Sequence, residues 1–371
     1  MSIRGFAERN LKVAEATYRK YERTFGLVFF LSGILWDALT LRRIDNLVDN
    51  LILIGYLLLL TSVLLVDIRF KGSDAPSARL KRAGSWVRPA TQFLLGALLS
   101  AFLIFYSRSI SWATHLGFLL VLVVGLVFNE FLNRRLSSFP AQLTLLFFCS
   151  VSMFAYLFPV AAKFMSPWLF RAALVVSLAL CLAVFLIGKR AGRVKHRRFG
   201  PLEIWILILS ALAMDFAYQN NWIPPVPLSV EEGGVYNLVS RNGDSFELEW
   251  DTQERGFFAP EYARTFFYTE GDPVYCFTSV FAPTQLKERL YHVWQRYDSS
   301  AGEWISTDRI GFDMQGGRSE GYRGMTLKRK VGLGEWRVIV ETGEGRILTR
   351  IPFTIVSRTA ELVVERRTLT R

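Results

Sequence analysis

Three groups of polar side chains occur where their types and spacing could support chemistry. In the run RLYHVWQRYD (289–298), His292, Trp294 and Arg296 alternate with Tyr291, Val293 and Tyr297. On a strand the two sets point to opposite faces. Exposed, the first set is a candidate binding platform, because an aromatic ring beside hydrogen-bonding and cationic neighbours suits sugar rings or extended peptides. Turned inward, it is a buried tryptophan on a central strand. Alternation alone does not choose between them.

The second group lies in apolar surroundings. Asp37, Arg171 and Asp215 interrupt long hydrophobic stretches. A charge in such a place costs on the order of 3 kcal/mol at the centre of a membrane helix, so each needs a reason. A rise of about 1.5 Å per residue puts the three at similar depths in an outer leaflet. They could form an interhelical ion pair that fixes packing, or a polar pocket for an ion, a proton or a head group. The third group is WDALTLRRIDNLVDN (36–50), dense in Arg42, Asp45, Asp49 and Asn50. On a helix, Arg42, Asp45 and Asp49 share one face. They could clamp a cation or a sugar, or they could be a self-satisfied turn in which Asp45 caps the following helix.

Other polar positions read as structural. Glu130 stands one turn before Arg134 and pairs with it as a helical i, i+4 couple. His115 has no carboxylate or cysteine neighbour and makes a poor metal ligand. Of the three cysteines, Cys149 and Cys181 fall in apolar stretches and Cys276 stands alone in the C-terminal half, which excludes an internal disulfide there. The chain shows no nucleotide motif, metal cluster or Ser/His/Asp set, so no cofactor, no metal and no catalytic residue is expected.

These residues are positioned by two different materials. Seven apolar stretches (25–41, 47–66, 90–107, 113–132, 141–162, 167–187 and 201–218) fill the first 218 residues. A bilayer crossing takes about 20 residues, so the expectation is a seven-helix transmembrane domain over 25–218, preceded by a cytoplasmic amphipathic tail (1–24). Gly96 and Ser100, with Ala97 and Ala101, favour close helix packing in the third stretch. Residues 1–218 hold 25 Lys/Arg and 11 Asp/Glu, a net charge of +14, against 19 and 21 beyond, a net −2. The positive excess therefore belongs to the membrane half and argues against a nucleic-acid partner. With the N-terminus inside, 20 Lys/Arg fall in cytoplasmic tail and loops and 4 outside. That bias places the N-terminus in the cytoplasm and the C-terminal domain outside, with 25–41 as the short first span.

Pro224, Pro225 and Pro227 mark residues 219–234 as a semi-rigid linker, with Trp222 at the interface. Beyond it, hydrophobicity alternates. Residues 235–240 and 245–250 flank Asn242-Gly243, a tight-hairpin signal. Val274, Cys276, Thr278 and Val280 alternate with Tyr275, Phe277, Ser279 and Phe281, and Trp336, Val338 and Val340 with their neighbours. The turn TGEG (342–345) leads to Ile347, Ile351, Phe353 and Ile355 on one face, and MQGGRSEGYRGMTLKRK (314–330) reads as a loop. The expectation is an all-β, immunoglobulin-like sandwich within 235–371, its core at 260–358.

The run VYCFTSV…RLYHVWQRYD…GEWRVIVETGEGRILTRIPFTIV resembles the C-terminal domain of unknown function 2914 of bacterial envelope proteins. The segment WD…TL.RID…DN resembles the membrane half of multi-span proteins that bear this domain. The resemblance implies a bacterial inner-membrane protein with a periplasmic domain and implies no activity. Three functions follow in order. The first is a non-catalytic envelope protein whose β domain binds a glycan, a peptide or a protein partner. The second is a transporter or channel using the outer-leaflet cluster, and the third a membrane enzyme acting on a lipid-linked substrate.

Overall fold

The computed structural model describes residues 35, 37, 39–41, 43–71, 78–109, 112–131, 139–190, 201–253, 261–318, 320–358 and 365–371. Among these residues there are six helices: α1 (Leu47–Lys71), α2 (Ala78–Arg108), α3 (Trp112–Phe131), α4 (Phe139–Ala162), α5 (Pro167–Arg190) and α6 (Pro201–Gln219). Five contain a stretch long and apolar enough to cross a membrane: Leu47–Arg69, Ala90–Arg108, Pro140–Ala162, Pro167–Ile187 and Leu202–Gln219. In α3 the apolar stretch is the shorter Leu116–Val127. The first expected span, 25–41, lies almost wholly outside the described residues, as do the 1–24 tail and Arg134. Between the apolar stretches 47–66 and 90–107 the chain is helical to Lys71 and again from Ala78 onward, because its Ala, Leu, Lys and Arg residues are good helix formers.

The chain divides into two compact units. One comprises the described parts of 1–104, 122–149 and 184–199; the other comprises 105–121, 150–183 and 200–371. The second unit thus joins one end of several helices to the whole β region, rather than breaking at a linker. Within it Tyr106 donates through its hydroxyl to the Ser152 carbonyl at 2.9 Å, closing two helices on each other.

Among the described residues the β region has eleven strands: β1 (Ser229–Tyr236), β2 (Leu238–Asn242), β3 (Ser245–Thr252), β4 (Thr265–Tyr268), β5 (Val274–Phe281), β6 (Lys287–Asp298), β7 (Glu303–Gln315), β8 (Tyr322–Lys328), β9 (Gly334–Thr342), β10 (Ile347–Ser357) and β11 (Glu365–Thr370). They form three sheets, ordered β4-β10-β9-β6-β7, β1-β5-β8 and β11-β3-β2. All pairs are antiparallel except β4 with β10. The expected hairpin is β2–β3, with Gly243 at φ +64°. Three expectations change. The proline-rich segment is no stalk: Ile223, Val226 and Leu228 are buried, and β1 begins at Ser229. Half of the 314–330 stretch is β8, whose Gly324 must be glycine, since a Cβ there would lie 2.4 Å from the Phe312 ring. A β-bulge between Ile347 and Thr349 turns Leu348 inward in place of Ile347.

Strand β5 is buried on both faces, which explains its continuous apolar character. Val274, Cys276, Thr278 and Val280 face the five-stranded sheet, and Phe277 points the other way. Phe246 of β3 covers it, ring centroids 5.3 Å apart, and Tyr236 stands at 6.3 Å. Burial pushes the Cys276 thiol up, so it is an inert packing group.

The five-stranded sheet and the β1-β5-β8 sheet are tied by a buried imidazole. His292 on β6 is fully buried. Its Nε2 lies 2.9 Å from Thr278 Oγ1 on β5 and its Nδ1 lies 2.8 Å from Thr326 Oγ1 on β8. Phe312 packs edge-on at 5.0 Å. A neutral ring offers one donor and one acceptor, and each threonine hydroxyl can play either role. Burial pulls the His292 pKa from 6.5 down to about 3. A folded pKa depressed below the unfolded value makes this contribution complete above about pH 6.5 and lost as pH falls toward 3. Urea denaturation of the full chain in detergent micelles, followed by tryptophan fluorescence, should therefore show a loss of about 2–3 kcal/mol between about pH 7 and pH 4.5. His292→Gln should remove that part of the pH dependence; an unchanged slope would count against the buried neutral ring.

Candidate functional site: the helix-end junction and the outer sheet face

The three sequence-derived groups meet different fates. In the β6 trio, His292 and Trp294 are fully buried, and only Arg296 is exposed. The exposed platform is thereby replaced by core packing. Trp294 meets the Phe353 ring edge-on at 6.2 Å. The other alternation set lies on the opposite face, Tyr291 and Tyr297 half-buried and Val293 buried.

Of the intramembrane trio, Arg171 and Asp215 approach to 3.6 Å. Arg171 occupies the first turns of α5 and Asp215 the last turns of α6. Each charge has the wrong sign for its own helix end, so their pairing offsets two unfavourable dipole terms at once. Gln219 donates to the free side of Asp215, and Arg171 also lies 5.0 Å from the Trp168 ring centre. Asp37 belongs to the other compact unit, where its carbonyl accepts the Leu41 N–H at 2.8 Å.

In the polar turn, Arg42 lies outside the described residues. Residues 44 and 45 form a turn and α1 begins at Leu47, so Asp45 and Asp49 do not share one helix face. The cap is Asn46, whose Oδ1 accepts the Val48 N–H at 2.9 Å, and not Asp45. Asp45 instead takes a two-pronged bond from Arg43, both distances 3.0 Å. Asn50 donates to the Ile44 carbonyl at 3.0 Å. These bonds hold the turn, while Asp49 Oδ2 is buried without a hydrogen bond among the described residues.

The contacts with most consequence come from residues that the sequence did not single out. The β9–β10 hairpin ends in Arg346, whose N–H is bonded to Thr342 Oγ1 at 3.2 Å and whose carbonyl accepts the Thr342 N–H at 3.0 Å. Its side chain is buried against the end of α6. One Nη donates to the Tyr218 carbonyl and the other to the Ile223 carbonyl at 3.2 Å. The guanidinium lies 3.7 Å from the Tyr218 ring centre, and Phe170 of α5 stacks on the same ring at 4.0 Å. Tyr218 is thus held between Arg346 and Phe170. Burial lowers the Arg346 pKa, and the neighbouring Tyr218 and Glu344 oppose that shift. A second contact lies beside it. The α4–α5 connection bridges Phe164 to Lys287 at the start of β6, the Lys163 carbonyl accepts the Lys287 N–H at 3.0 Å, and Lys163 Nζ donates to Gln285.

The outward face of the five-stranded sheet carries an arginine and aromatic pattern. Arg309 lies 3.4 Å from the Tyr291 ring centre and donates to Glu341 at 2.9 Å. Arg337 lies 4.2 Å from the Trp304 ring centre, and its Nε donates to Gln295 at 2.7 Å. Arg350, on the adjacent strand β10, is opposite Ile339 in the register. Burial and the nearby Arg350 lower the Arg337 pKa, and burial lowers that of Arg350. Both remain cationic at ordinary pH.

Arg346→Ala would leave two carbonyls unsatisfied at the helix end, each costing about 1–3 kcal/mol. Hydrogen exchange of the full chain in micelles should speed up roughly tenfold or more at amides 218–228. Arg346→Lys should not restore protection, because a single ammonium cannot both bridge two carbonyls and stack on a ring. Unchanged exchange in the alanine variant would show that the hairpin is held by other means.

Comparison with known proteins adds one assignment. No curated protein matches the chain. Among solved structures, Pseudomonas fluorescens alkylpurine DNA glycosylase AlkC bound to DNA containing an abasic site analog is 10% identical and covers 77% of this chain and 83% of its own. Its TM-score is 0.19, which indicates no shared fold. The profile of a family described as Protein of unknown function (DUF2914) matches residues 287–355. The strands from β6 through most of β10, which carry both Arg346 and the arginine face, are therefore a DUF2914 domain within a chain that also has membrane-length helices.

Proposed function

We propose that this protein is a membrane-anchored binding module of a bacterial envelope, without catalytic activity. Its C-terminal β domain, an immunoglobulin-like sandwich in this reading, stands outside the inner membrane and takes a glycan, peptide or protein partner. The chain crosses seven times, counting 25–41 and α3, and its N-terminus is cytoplasmic. The observation that carries the reading is the junction. Arg346 and Lys163 fasten the β domain to the α6 end and to the α4–α5 connection. The domain and that helical end therefore share one side, and Lys163 is the sole Lys/Arg of its connection. Cation-poor connections belong outside by the charge rule.

The burial of His292 and Cys276 supports a binding role over a catalytic one, since both are engaged in packing. A transport reading would rest on Arg171 and Asp215, and their mutual pairing, with Gln219 and Trp168 beside them, spends both charges on helix packing.

A reporter that fluoresces only in the cytosol, fused after Arg371, should leave cells dark. Bright cells would overturn the placement. The detergent-solubilised chain, laid over mixed glycan and peptide arrays, should retain at least one ligand class above a heat-denatured control; retention of none would sink the binding role.

A further inference from the structure

Among the described residues, the outward face of the five-stranded sheet carries two arginines, Arg337 and Arg350, that make no ion pair. Among the described residues, Arg337 bonds only through Nε to the neutral Gln295, which leaves its two terminal amino groups without a partner, and the Arg350 side chain has no hydrogen bond or ion pair. Both side chains are half-buried. Partly desolvated like charges on adjacent strands are unfavourable by themselves. Of the two carboxylates on this face of β9, Glu341 is committed to Arg309 at 2.9 Å, and the exposed Glu335, two residues before Arg337, makes no ion pair among the described residues.

The fork of Arg337 is also held in place. The Trp304 ring supports its plane at 4.2 Å and Gln295 fixes Nε at 2.7 Å, so its terminal amino groups are pre-oriented. Such a planar fork suits a carboxylate, which it meets with two parallel bonds. In the register, Arg350 is opposite Ile339 while Pro352 is opposite Arg337, so the two arginines are diagonal neighbours. Diagonal pairs stand about 7–8 Å apart. Alternate side chains of an extended peptide are about 6.6–6.8 Å apart. Two carboxylates at positions i and i+2 would thus reach both forks together.

We propose that this face, centred on Arg337 and Arg350, binds an extended acidic segment of a partner protein, one carboxylate to each guanidinium. The inference rests on the binding reading above and names the ligand class for it. An anionic sugar fits less well, because the faces of Tyr291 and Trp304 that a sugar ring would stack on are occupied by Arg309 and Arg337.

The test uses the full chain in detergent micelles and a fluorescein-labelled peptide of alternating Asp and Gly, read by anisotropy. Binding should exceed that of the Asn-Gly peptide by roughly tenfold or more and should weaken steeply as salt rises. Arg337→Gln and Arg350→Gln should each lose roughly tenfold, with melting temperature unchanged, while Arg241→Gln on β2 should lose nothing. Equal binding of the Asp and Asn peptides, or wild-type affinity in both variants, would overturn the proposal. An oligouronate that binds where the acidic peptide does not would overturn the choice of a peptide. An array ligand retained equally by wild type and Arg350→Gln would leave the binding role standing and remove this face from it.

Discussion

One buried guanidinium ties the β9–β10 hairpin to the end of α6. A helix ends with carbonyls that lack intrahelical partners, and at a membrane-length helix such as α6 the need to satisfy them is acute. Arg346 reaches out of the β9–β10 hairpin and answers the carbonyls of Tyr218 and Ile223 with its two terminal amino groups. A cation at a helix C-terminus also complements the dipole. The ring of Tyr218 and the stacked Phe170 then fix the plane of the fork, so α5, α6 and the hairpin tip share one contact. The proline-rich segment can turn and bury Ile223 and Val226 because its ends are pinned on both sides.

From that anchor the β domain extends as layers. His292 ties the five-stranded sheet to the β1-β5-β8 sheet, and Phe277 carries the packing to the β2–β3 hairpin. Each link uses one side chain from a central strand. The layers are therefore joined by buried side chains, while strand pairing holds each sheet.

Much of this architecture was legible in the sequence, and the failures have physical causes. Apolar length located the helices, since lipid demands it of any spanning segment. Period-two alternation located β5, β6 and β9. It could not say which face of β6 was inner, because an aromatic-rich strand reads alike from both sides; the two threonines that partner His292 decide it, and they are distant in sequence. Asn46 rather than Asp45 caps α1 because Asp45 has a better partner in Arg43. The strand β11 was missed because its pattern ERRTLT has little apolar character, and its exposed edge position requires none. Arg346 sits in TGEGRILTR as one basic residue among many, and nothing local marks it as buried.

Arginine does three different jobs here, distinguished by what faces it. Arg346 is buried against carbonyls and a ring, Arg171 is paired with Asp215, and Arg337 and Arg350 are half-buried with no ion pair among the described residues. The near-neutral charge of the C-terminal half hides this sorting. Four of its acids, Glu231, Glu232, Glu261 and Glu320, line one open cleft with Arg323 and Arg371. There every arginine has a carboxylate, Arg371 meeting Glu232 and Glu261, and Arg323 meeting Glu320. Both arginines of the acidic cleft are thus paired, whereas among the described residues Arg337 and Arg350 of the outer face are not. Complementary charge arriving from outside gains more at the unmatched surface, because it need not displace an existing partner and its guanidinium forks have already given up part of their water.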